Sequence, residues 1–249
     1  MEVQTKKIIN FCEEYLKVKD FSDGCVNGLQ VEGVSEVEKI IVGVSISEKL
    51  IREAIKRKAQ MIIVHHGFFT NSISTPPIFK NYLKTRLKLL LENNINLAGF
   101  HLPLDAHPVI GNNISLCKLL GIKNVKPYDA GFVGELSKEM KFGEFVKMVD
   151  KKLSVKSYTI SAKSGRVKKV GIISGGADGD FEITKELGAD TFVTGAINEW
   201  NVRSIEEMDL NFINAGHYNT EKLGVINLGN LIAKKFKVKC EFVDVANEI

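Results

Sequence analysis

The chain has 249 residues, which is enough for one large domain or two small ones with a sizeable core. Hydrophobic residues make up 44% and charged residues 26%, and the net charge is only +4, too small to indicate a nucleic-acid partner without a clustered basic patch. No apolar run approaches the roughly 20 residues that a membrane helix needs. The N-terminal stretch is charged and amphipathic rather than a signal peptide, so we expect a cytoplasmic protein without a membrane partner.

The cysteines are widely spaced and form no C-x-x-C motif, which excludes a typical disulfide framework or zinc knuckle. We expect reduced, mostly buried thiols at these positions, which are Cys12, Cys25, Cys117 and Cys240.

Short apolar strands alternate with amphipathic helices along the chain. The first series of predicted strands is Lys39–Val44, Met61–Val64 and Asn96–Phe100, with helices at Ser47–Lys58, Ile78–Asn93 and Asn113–Leu120. The second series has strands at Lys168–Ser174, Thr191–Thr194 and Leu210–Asn214, helices at Asp180–Leu187 and Asn198–Glu207, then a helix from Tyr218 to Lys235 and a strand at Val238–Val245. This alternation predicts an α/β fold with parallel or mixed sheets covered by helices.

The two series resemble each other. VEKIIVGVSIS from Val37 and VKKVGIISGGA from Val167 are each followed by a helix and an apolar strand that ends in glycine. This pattern indicates a weak internal duplication, although any two β-α-β units share such features. The first copy ends in two histidines before Gly67, whereas the second has only Thr194 before Gly195, so a metal site would belong to the first copy.

All five histidines lie in three short segments, VHHG, HLPLDAH and AGHYNTE, and each segment directly follows a predicted strand. In open α/β sheets, ligand sites form beyond the carboxyl ends of the strands. The sequence therefore predicts that these segments meet at one end of a sheet.

In the first segment, His65 and His66 are neighbours on a strand and should point to opposite faces. One site can use both rings only if the chain turns there, which Gly67 allows. Neutral imidazole is a common ligand for transition metals. The alternative is that the two histidines simply end a buried strand.

In the second segment, Asp105 is either a metal ligand in a proline-rigidified loop or a helix N-cap. Asn112 is the better cap candidate for the following helix. His101 and His107 are candidates for ligands, for acid–base groups or for donors that orient a ligand.

In the third segment, the four-residue spacing puts His217 and Glu221 on one face of a helix. That face continues through Val225, Leu228 and Ile232, so Glu221 should be buried. A buried carboxylate needs a partner, which is either a metal ion or an Arg or Lys side chain. Three histidines and two carboxylates exceed the four ligands of a structural zinc and suit two metal ions that share a carboxylate.

Gly175–Asp180 (GGADGD) follows a strand and precedes a helix. Its backbone could present N–H groups to a phosphate, but two acidic side chains oppose an anion, so we interpret it as a tight turn.

Four motifs in the same order together resemble the Nif-three-like family, whose members are often labelled type 2 homologues of GTP cyclohydrolase I. They are NGLQVEG at Asn27–Gly33, VHHG at Val64–Gly67, HLPLDAHPVIGNN at His101–Asn113 and GHYNTE at Gly216–Glu221. The resemblance covers nearly the whole chain and implies two related α/β lobes with mixed sheets. We expect residues 1–126 plus 216–249 to form a metal-binding lobe and residues 127–215 to form the second lobe.

The resemblance also implies a two-metal site with Glu221 as the bridge. The implied ligands are His65 and Asp105 for one metal and His66 and His217 for the other. Zinc, iron, manganese, cobalt and nickel all suit these donors. A ring-shaped homohexamer with the metal sites facing its interior is implied too. One departure is Ala196, where many relatives have an acidic residue.

Two classes of function fit these features. The first is a two-metal hydrolase in which activated water attacks the purine imidazole ring of GTP and formate leaves, with His101 transferring protons. Other substrates, such as phosphate esters, suit the same chemistry. The alternative is a non-enzymatic ring that binds metal or nucleic acid, or acts as a regulator.

Overall fold

The computed structural model describes residues 2–70 and 77–247. Its strands and helices are, in chain order, β1 (Val3–Gln4), α1 (Thr5–Tyr15), β2 (Gly28–Val31), β3 (Glu36–Val37), β4 (Lys39–Ser45), α2 (Glu48–Lys56), β5 (Met61–His66), α3 (Asn81–Glu92), β6 (Asn96–Gly99), α4 (Leu102–Ala106), α5 (Asn112–Leu119), β7 (Ile122–Tyr128), β8 (Gly131–Lys141), α6 (Phe142–Leu153), β9 (Tyr158–Ile160), β10 (Arg166–Ile172), α7 (Phe181–Glu186), β11 (Thr191–Thr194), α8 (Glu199–Glu207), β12 (Asn211–Asn214), α9 (His217–Thr220), α10 (Lys222–Phe236) and β13 (Lys239–Phe242). Among the described residues, none of the helices combines the length and the apolar character needed to span a membrane.

The chain forms two compact units, which we call unit 1 and unit 2. Unit 1 comprises Met1–Leu104 and Gly224–Val245, and unit 2 comprises Asp105–Leu223 and Ala246–Ile249. The boundaries differ from the expected division, because residues 105–126, 216–223 and 246–249 belong to unit 2 rather than to the first lobe. The reason is packing: Leu116 and Cys117 of α5 are fully buried in the same hydrophobic cluster as Phe145 of α6.

In unit 1, a five-stranded sheet has the order β13-β4-β5-β6-β2. Strands β13, β4, β5 and β6 are parallel to one another, and β2 pairs antiparallel with β6 at the edge of the sheet. The apolar runs of β4 and β5 are buried because helices cover a parallel sheet on both faces. Ser47 caps α2 by accepting a hydrogen bond from the Leu50 backbone N–H at 3.2 Å.

In unit 2, a six-stranded sheet has the order β7-β8-β10-β11-β12-β9. Strands β10, β11 and β12 are parallel, while β7, β8 and β9 are antiparallel to their neighbours. Each unit thus contains three successive parallel strands joined by helices, β4-α2-β5-α3-β6 and β10-α7-β11-α8-β12. The predicted α/β fold with mixed sheets is confirmed.

The helix predicted from Tyr218 to Lys235 is two helices, because the chain leaves helical geometry at Glu221, where φ is −111°. The Thr220 hydroxyl donates to the carbonyl groups of Gly216 and His217, so the last residue of α9 is hydrogen-bonded to its first turn. The apolar face beyond this break is buried as predicted, at Val225, Leu228 and Ile232.

The thiols are free, as expected. Cys12 and Cys117 are buried, and Cys25 and Cys240 are half-buried. Burial raises the pKa of the Cys117 thiol to about 12, so this group stays protonated and unreactive at neutral pH.

Candidate metal-binding residues in the two units

Three imidazole rings lie together in unit 1, and we call them the imidazole cluster: His65, His66 and His101. His65 and His66 end β5, and His101 follows the adjacent parallel strand β6. The ring centroids are 4.6 Å apart for His65 and His66, 4.9 Å for His65 and His101 and 5.6 Å for His66 and His101. One ring nitrogen from each lies within 4.8 Å of the others, so the carboxyl ends of two strands bring these histidines together. The third segment, with His217, was expected at the same sheet but follows β12 of the six-stranded sheet instead.

Hydrogen bonds set the tautomers of two of these rings. His65 Nδ1 lies 2.9 Å from the Phe100 carbonyl oxygen, and His101 Nδ1 lies 2.9 Å from Asp23 Oδ1. A carbonyl or carboxylate oxygen only accepts, so each Nδ1 carries a proton. In the neutral ring this leaves the lone pair on Nε2, which is the arrangement in which a histidine binds a metal ion while its other nitrogen is held by the protein.

The strand continues through His66, whose Nδ1 lies 2.9 Å from the Ser45 hydroxyl across the β4–β5 pair. The two neighbouring rings approach each other although no turn separates them, so the turn expected at Gly67 is not needed to bring them together.

Asp23 holds His101 and was not found from the sequence. Its carboxylate accepts hydrogen bonds from His101 Nδ1, from the Asn27 amide and from the backbone N–H groups of Cys25 and Leu102, all at 2.9 Å. Its side chain is 3% exposed. Burial raises the pKa of Asp23, but the hydrogen bonds from His101, Asn27 and Cys25 outweigh it and bring the pKa well below its usual value. Asp23 is therefore a carboxylate at neutral pH.

The NGLQVEG motif acquires a structural role from these contacts. Asn27 Oδ1 accepts the His101 backbone N–H at 2.7 Å, and Gln30 Oε1 accepts the Phe68 backbone N–H at 2.6 Å. A Cβ atom at Gly67 would collide with the Gln30 amide. Gly67 thus leaves room for the Gln30 amide, whose hydrogen bond to Phe68 fixes the chain just after the histidine pair.

Unit 2 holds a second group of donors, which we call the carboxylate cluster: Asp105, His217 and Glu221. Asp105 lies in α4, His217 begins α9 and Glu221 sits between α9 and α10. His217 Nε2 is 3.1 Å from Glu221 Oε1, and oxygens of Asp105 and Glu221 lie within 4.8 Å of each other. The burial predicted for Glu221 is confirmed, since its side chain is 3% exposed. Two buried carboxylates this close repel each other unless cations or hydrogen-bond donors compensate.

Asp105 is held from one side. Its Oδ1 accepts hydrogen bonds from Asn112 Nδ2 at 2.8 Å and from the Ser174 hydroxyl at 2.9 Å. Asn112 is therefore not the helix cap that the sequence suggested, because Gly111 occupies the N-cap of α5. The Asn112 side chain is instead engaged with a candidate ligand, which is a common arrangement around metal-binding carboxylates.

The GGADGD segment bends at its two glycines and continues as a short 3-10 helix at Asp178–Asp180, so the expected turn covers only its first half. Its first glycine packs against the carboxylate cluster. Gly175 has φ +71°, and a Cβ atom there would collide with Glu221 Oε1 and lie 3.2 Å from His217 Nε2. Its backbone N–H donates to the Thr220 hydroxyl at 3.0 Å. Gly175 thus places backbone without a side chain next to both Glu221 and His217.

His107 has a different role. Its Nδ1 accepts the backbone N–H groups of Val109 and Ile110 at 3.2 and 3.3 Å, which caps the turn before α5. Within residues 2–70 and 77–247, His107 belongs to no group of three donors that could hold a metal ion.

Comparison with known proteins shows extensive similarity. The model of the Duf34/NIF3 (NGG1p interacting factor 3) family matches residues 3–248. A protein from Haemophilus influenzae named GTP cyclohydrolase 1 type 2 homolog is 40% identical over 252 residues, which cover 98% of each chain. A Pyrococcus abyssi protein with the same name is 36% identical, covering 97% of this chain and 98% of its own.

Solved structures agree with these matches. Protein ybgI, described as of unknown function, superposes with a TM-score of 0.95 at 34% identity, covering 99% of this chain and 100% of its own. TTHA1606 from Thermus thermophilus gives a TM-score of 0.91 at 29% identity, with the same coverage.

Proposed function

The chain belongs to the Duf34/NIF3 family, and we propose that it is a hydrolase that works with two divalent metal ions. The proposed ligands are the sequence-predicted residues His65, His66, Asp105, His217 and Glu221. The observation that carries the proposal is the set of hydrogen bonds that orient the side chains of the proposed ligands. The protein binds Nδ1 of His65 and Oδ1 of Asp105, which is how proteins orient the opposite nitrogen and oxygen of metal ligands.

The donor set fits such ions chemically. Imidazole nitrogen together with carboxylate oxygen suits zinc, iron, manganese, cobalt or nickel. A cation would also balance the two buried carboxylates of the carboxylate cluster, whose oxygens lie within 4.8 Å of each other. Divalent ions in a site of this kind lower the pKa of water, which supplies a nucleophile at neutral pH.

The name shared by the relatives supports GTP as the substrate. In the proposed reaction, water adds at C8 of the purine imidazole ring, and hydrolysis of both C8–N bonds consumes two waters and releases C8 as formate. His101 is the proposed proton-transfer group. Asp23 keeps its Nδ1 protonated, so Nε2 is the atom that accepts a proton from water and returns it to the leaving nitrogen.

The first experiment measures metal content per chain by elemental mass spectrometry. We expect about two ions per chain in the wild type, extensive loss in Glu221→Gln, and no change in Glu207→Gln, a control at an exposed position of α8. Circular dichroism checks that each variant is folded. Little metal in the wild type after reloading with several divalent ions would refute the proposal.

The second experiment measures formate released from GTP by the metal-loaded protein. We expect release that is abolished by Asp105→Asn and strongly reduced by His101→Gln. Metal binding without turnover of GTP or of phosphate esters would rule out the hydrolase and favour a binding or regulatory protein.

The same proposal includes a homohexamer, which rests on the family resemblance alone. Light scattering coupled to gel filtration should then give six times the 27.7 kDa chain mass. A monomer or dimer at micromolar concentration would contradict it.

A further inference from the structure

Unit 2 contains a cavity of about 740 Å³ beyond the carboxyl ends of two adjacent parallel strands. Gly195, Ala196 and Ile197 line it directly after β11, and Asn214 lines it at the end of β12. Ligands of open α/β sheets bind at this edge, and the volume is in the range of about 300–1,000 Å³ typical of small-molecule sites.

The cavity reaches the carboxylate cluster, because His217 is one of its lining residues. Gly195 makes this possible. A Cβ atom there would lie 2.7 Å from His217 Cα and 2.6 Å from Thr220 Oγ1, so only a glycine allows α9 to pack so closely against the end of β11. A molecule in the cavity therefore contacts a proposed metal ligand.

An aromatic ring is available on one wall. Tyr158 begins the edge strand β9, lines the cavity and is 48% exposed, so its ring is accessible to a ligand. An exposed aromatic face inside a cavity favours stacking on a flat ring. Ala196, Ile197 and Val155 add apolar surface around it.

Hydrogen-bonding and charged groups complete the lining. Asn214 Oδ1 accepts the Gly216 backbone N–H at 3.0 Å, which fixes this amide so that its Nδ2 can donate to a ligand. Asn219 offers a second amide, and Lys156 is a cationic side chain at the rim. Within residues 2–70 and 77–247, no aspartate or glutamate lines the cavity. Lys156 thus favours an anionic group on its side of the cavity.

We propose that this cavity binds a nucleotide-like ligand: a planar heteroaromatic ring, stacked on Tyr158 and hydrogen-bonded by asparagine amides, that bears an anionic group near Lys156. The inference rests on the proposed function in taking this ligand as the substrate whose ring is hydrolysed beside His217. It assigns substrate recognition to residues that bind no metal.

The test is isothermal titration calorimetry with guanosine 5′-monophosphate, guanosine and ribose 5-phosphate, on metal-loaded and metal-free protein. We expect Tyr158→Leu to weaken binding of the nucleotide and of guanosine alike, by roughly 5- to 100-fold, as for loss of a base–aromatic stack. Lys156→Gln should weaken the nucleotide but not guanosine, by roughly threefold to tenfold, because one partly solvated ionic contact to the phosphate is lost. The controls are Tyr82→Leu on α3 and Lys152→Gln on α6, both exposed and outside the cavity.

Unchanged nucleotide affinity in Tyr158→Leu, or a wild type that binds ribose 5-phosphate as tightly as the nucleotide, would overturn the inference. So would a wild type that binds no nucleotide at millimolar concentration. The outcome is separable from that of the hydrolase proposal. Nucleotide binding that depends on Tyr158 in a protein that retains no metal would uphold the cavity and refute the hydrolase. A wild type that holds its full metal content but binds no nucleotide would refute the cavity and leave the metal site standing.

Discussion

Asp23 Oδ1 lies 2.9 Å from His101 Nδ1, and the other oxygen of the same carboxylate accepts the backbone N–H of Leu102 at 2.9 Å. One side chain therefore fixes both the ring of His101 and the start of the helix that follows it. Because the carboxylate can only accept, it also selects the tautomer that has its proton on Nδ1.

Replacing Asp23 by asparagine keeps the shape but allows the opposite tautomer, since an amide N–H can donate to Nδ1. In ¹⁵N NMR of histidine-labelled protein, we expect His101 to change from the Nδ1–H form to a mixture that includes Nε2–H. Formate release should fall roughly 10- to 100-fold with little change in KM, the usual effect of losing such an orienting group. Asp20→Asn, an exposed neighbour, is the control. An unaltered His101 spectrum would contradict this role for Asp23.

The low pKa of Asp23 predicts that the free energy of unfolding depends on pH in the acidic range. The pKa in the folded protein is below the unfolded value of about 3.9, so the folded state binds fewer protons. This stabilisation is fully present above about pH 5 and is lost as the pH falls towards the folded pKa. Urea unfolding at pH 6 and pH 3 should therefore show a free-energy difference between wild type and Asp23→Asn that shrinks at pH 3. A difference that is equal at both pH values would argue against the carboxylate as its source.

The strands that lead to the site could be predicted because their side chains are buried on both faces. Thr191–Thr194 has the bounds that we predicted, and Met61–Val64 was short by two residues, since β5 runs to His66. Histidines at the ends of such strands could therefore be recognised from the sequence as candidate ligands. Burial of Glu221 followed from helical spacing alone, although the helix itself breaks at that residue.

The residues that hold the donors could not be predicted in the same way. Asp23 and His101 are 78 positions apart, and Ser174 and Asp105 are 69 apart. No local period links such pairs, so only the folded chain reveals them. Strand β8 was missed for a different reason, because its second half is exposed and rich in lysine and glutamate, unlike a typical buried strand.

The hydroxyl of Ser174 supplies a third prediction. It donates to Asp105 Oδ1 at 2.9 Å in a buried position. Removing it in Ser174→Ala leaves that oxygen with one donor fewer and lets the carboxylate rotate. We expect metal affinity, measured by competition with a chelator, to fall roughly tenfold to a hundredfold, as for loss of other groups that orient a ligand. Ser137→Ala, at an exposed position of β8, should bind metal as the wild type does. Equal affinity in the two variants would show that Asn112 alone suffices to hold Asp105.

The last prediction separates backbone strain from contact with the carboxylate cluster. Gly175 and Gly165 both have positive φ, at +71° and +57°, so alanine at either position costs about 1–2 kcal/mol from backbone conformation. A Cβ atom at Gly165 meets nothing within 4 Å, whereas one at Gly175 collides with Glu221 Oε1 and lies 3.2 Å from His217 Nε2. Gly165→Ala should therefore lose stability but keep its metal.

Gly175→Ala should be destabilised further, by about 1–3 kcal/mol from overpacking, and should displace the two donors. We expect a clear fall in metal content relative to Gly165→Ala, measured by elemental mass spectrometry beside chemical unfolding curves. Because the two variants share the backbone penalty, the difference in metal content reports the contact alone. If both variants kept the same metal content, the side-chain ends of Glu221 and His217 would have shifted to make room for the Cβ atom, and Gly175 would not be needed for metal binding.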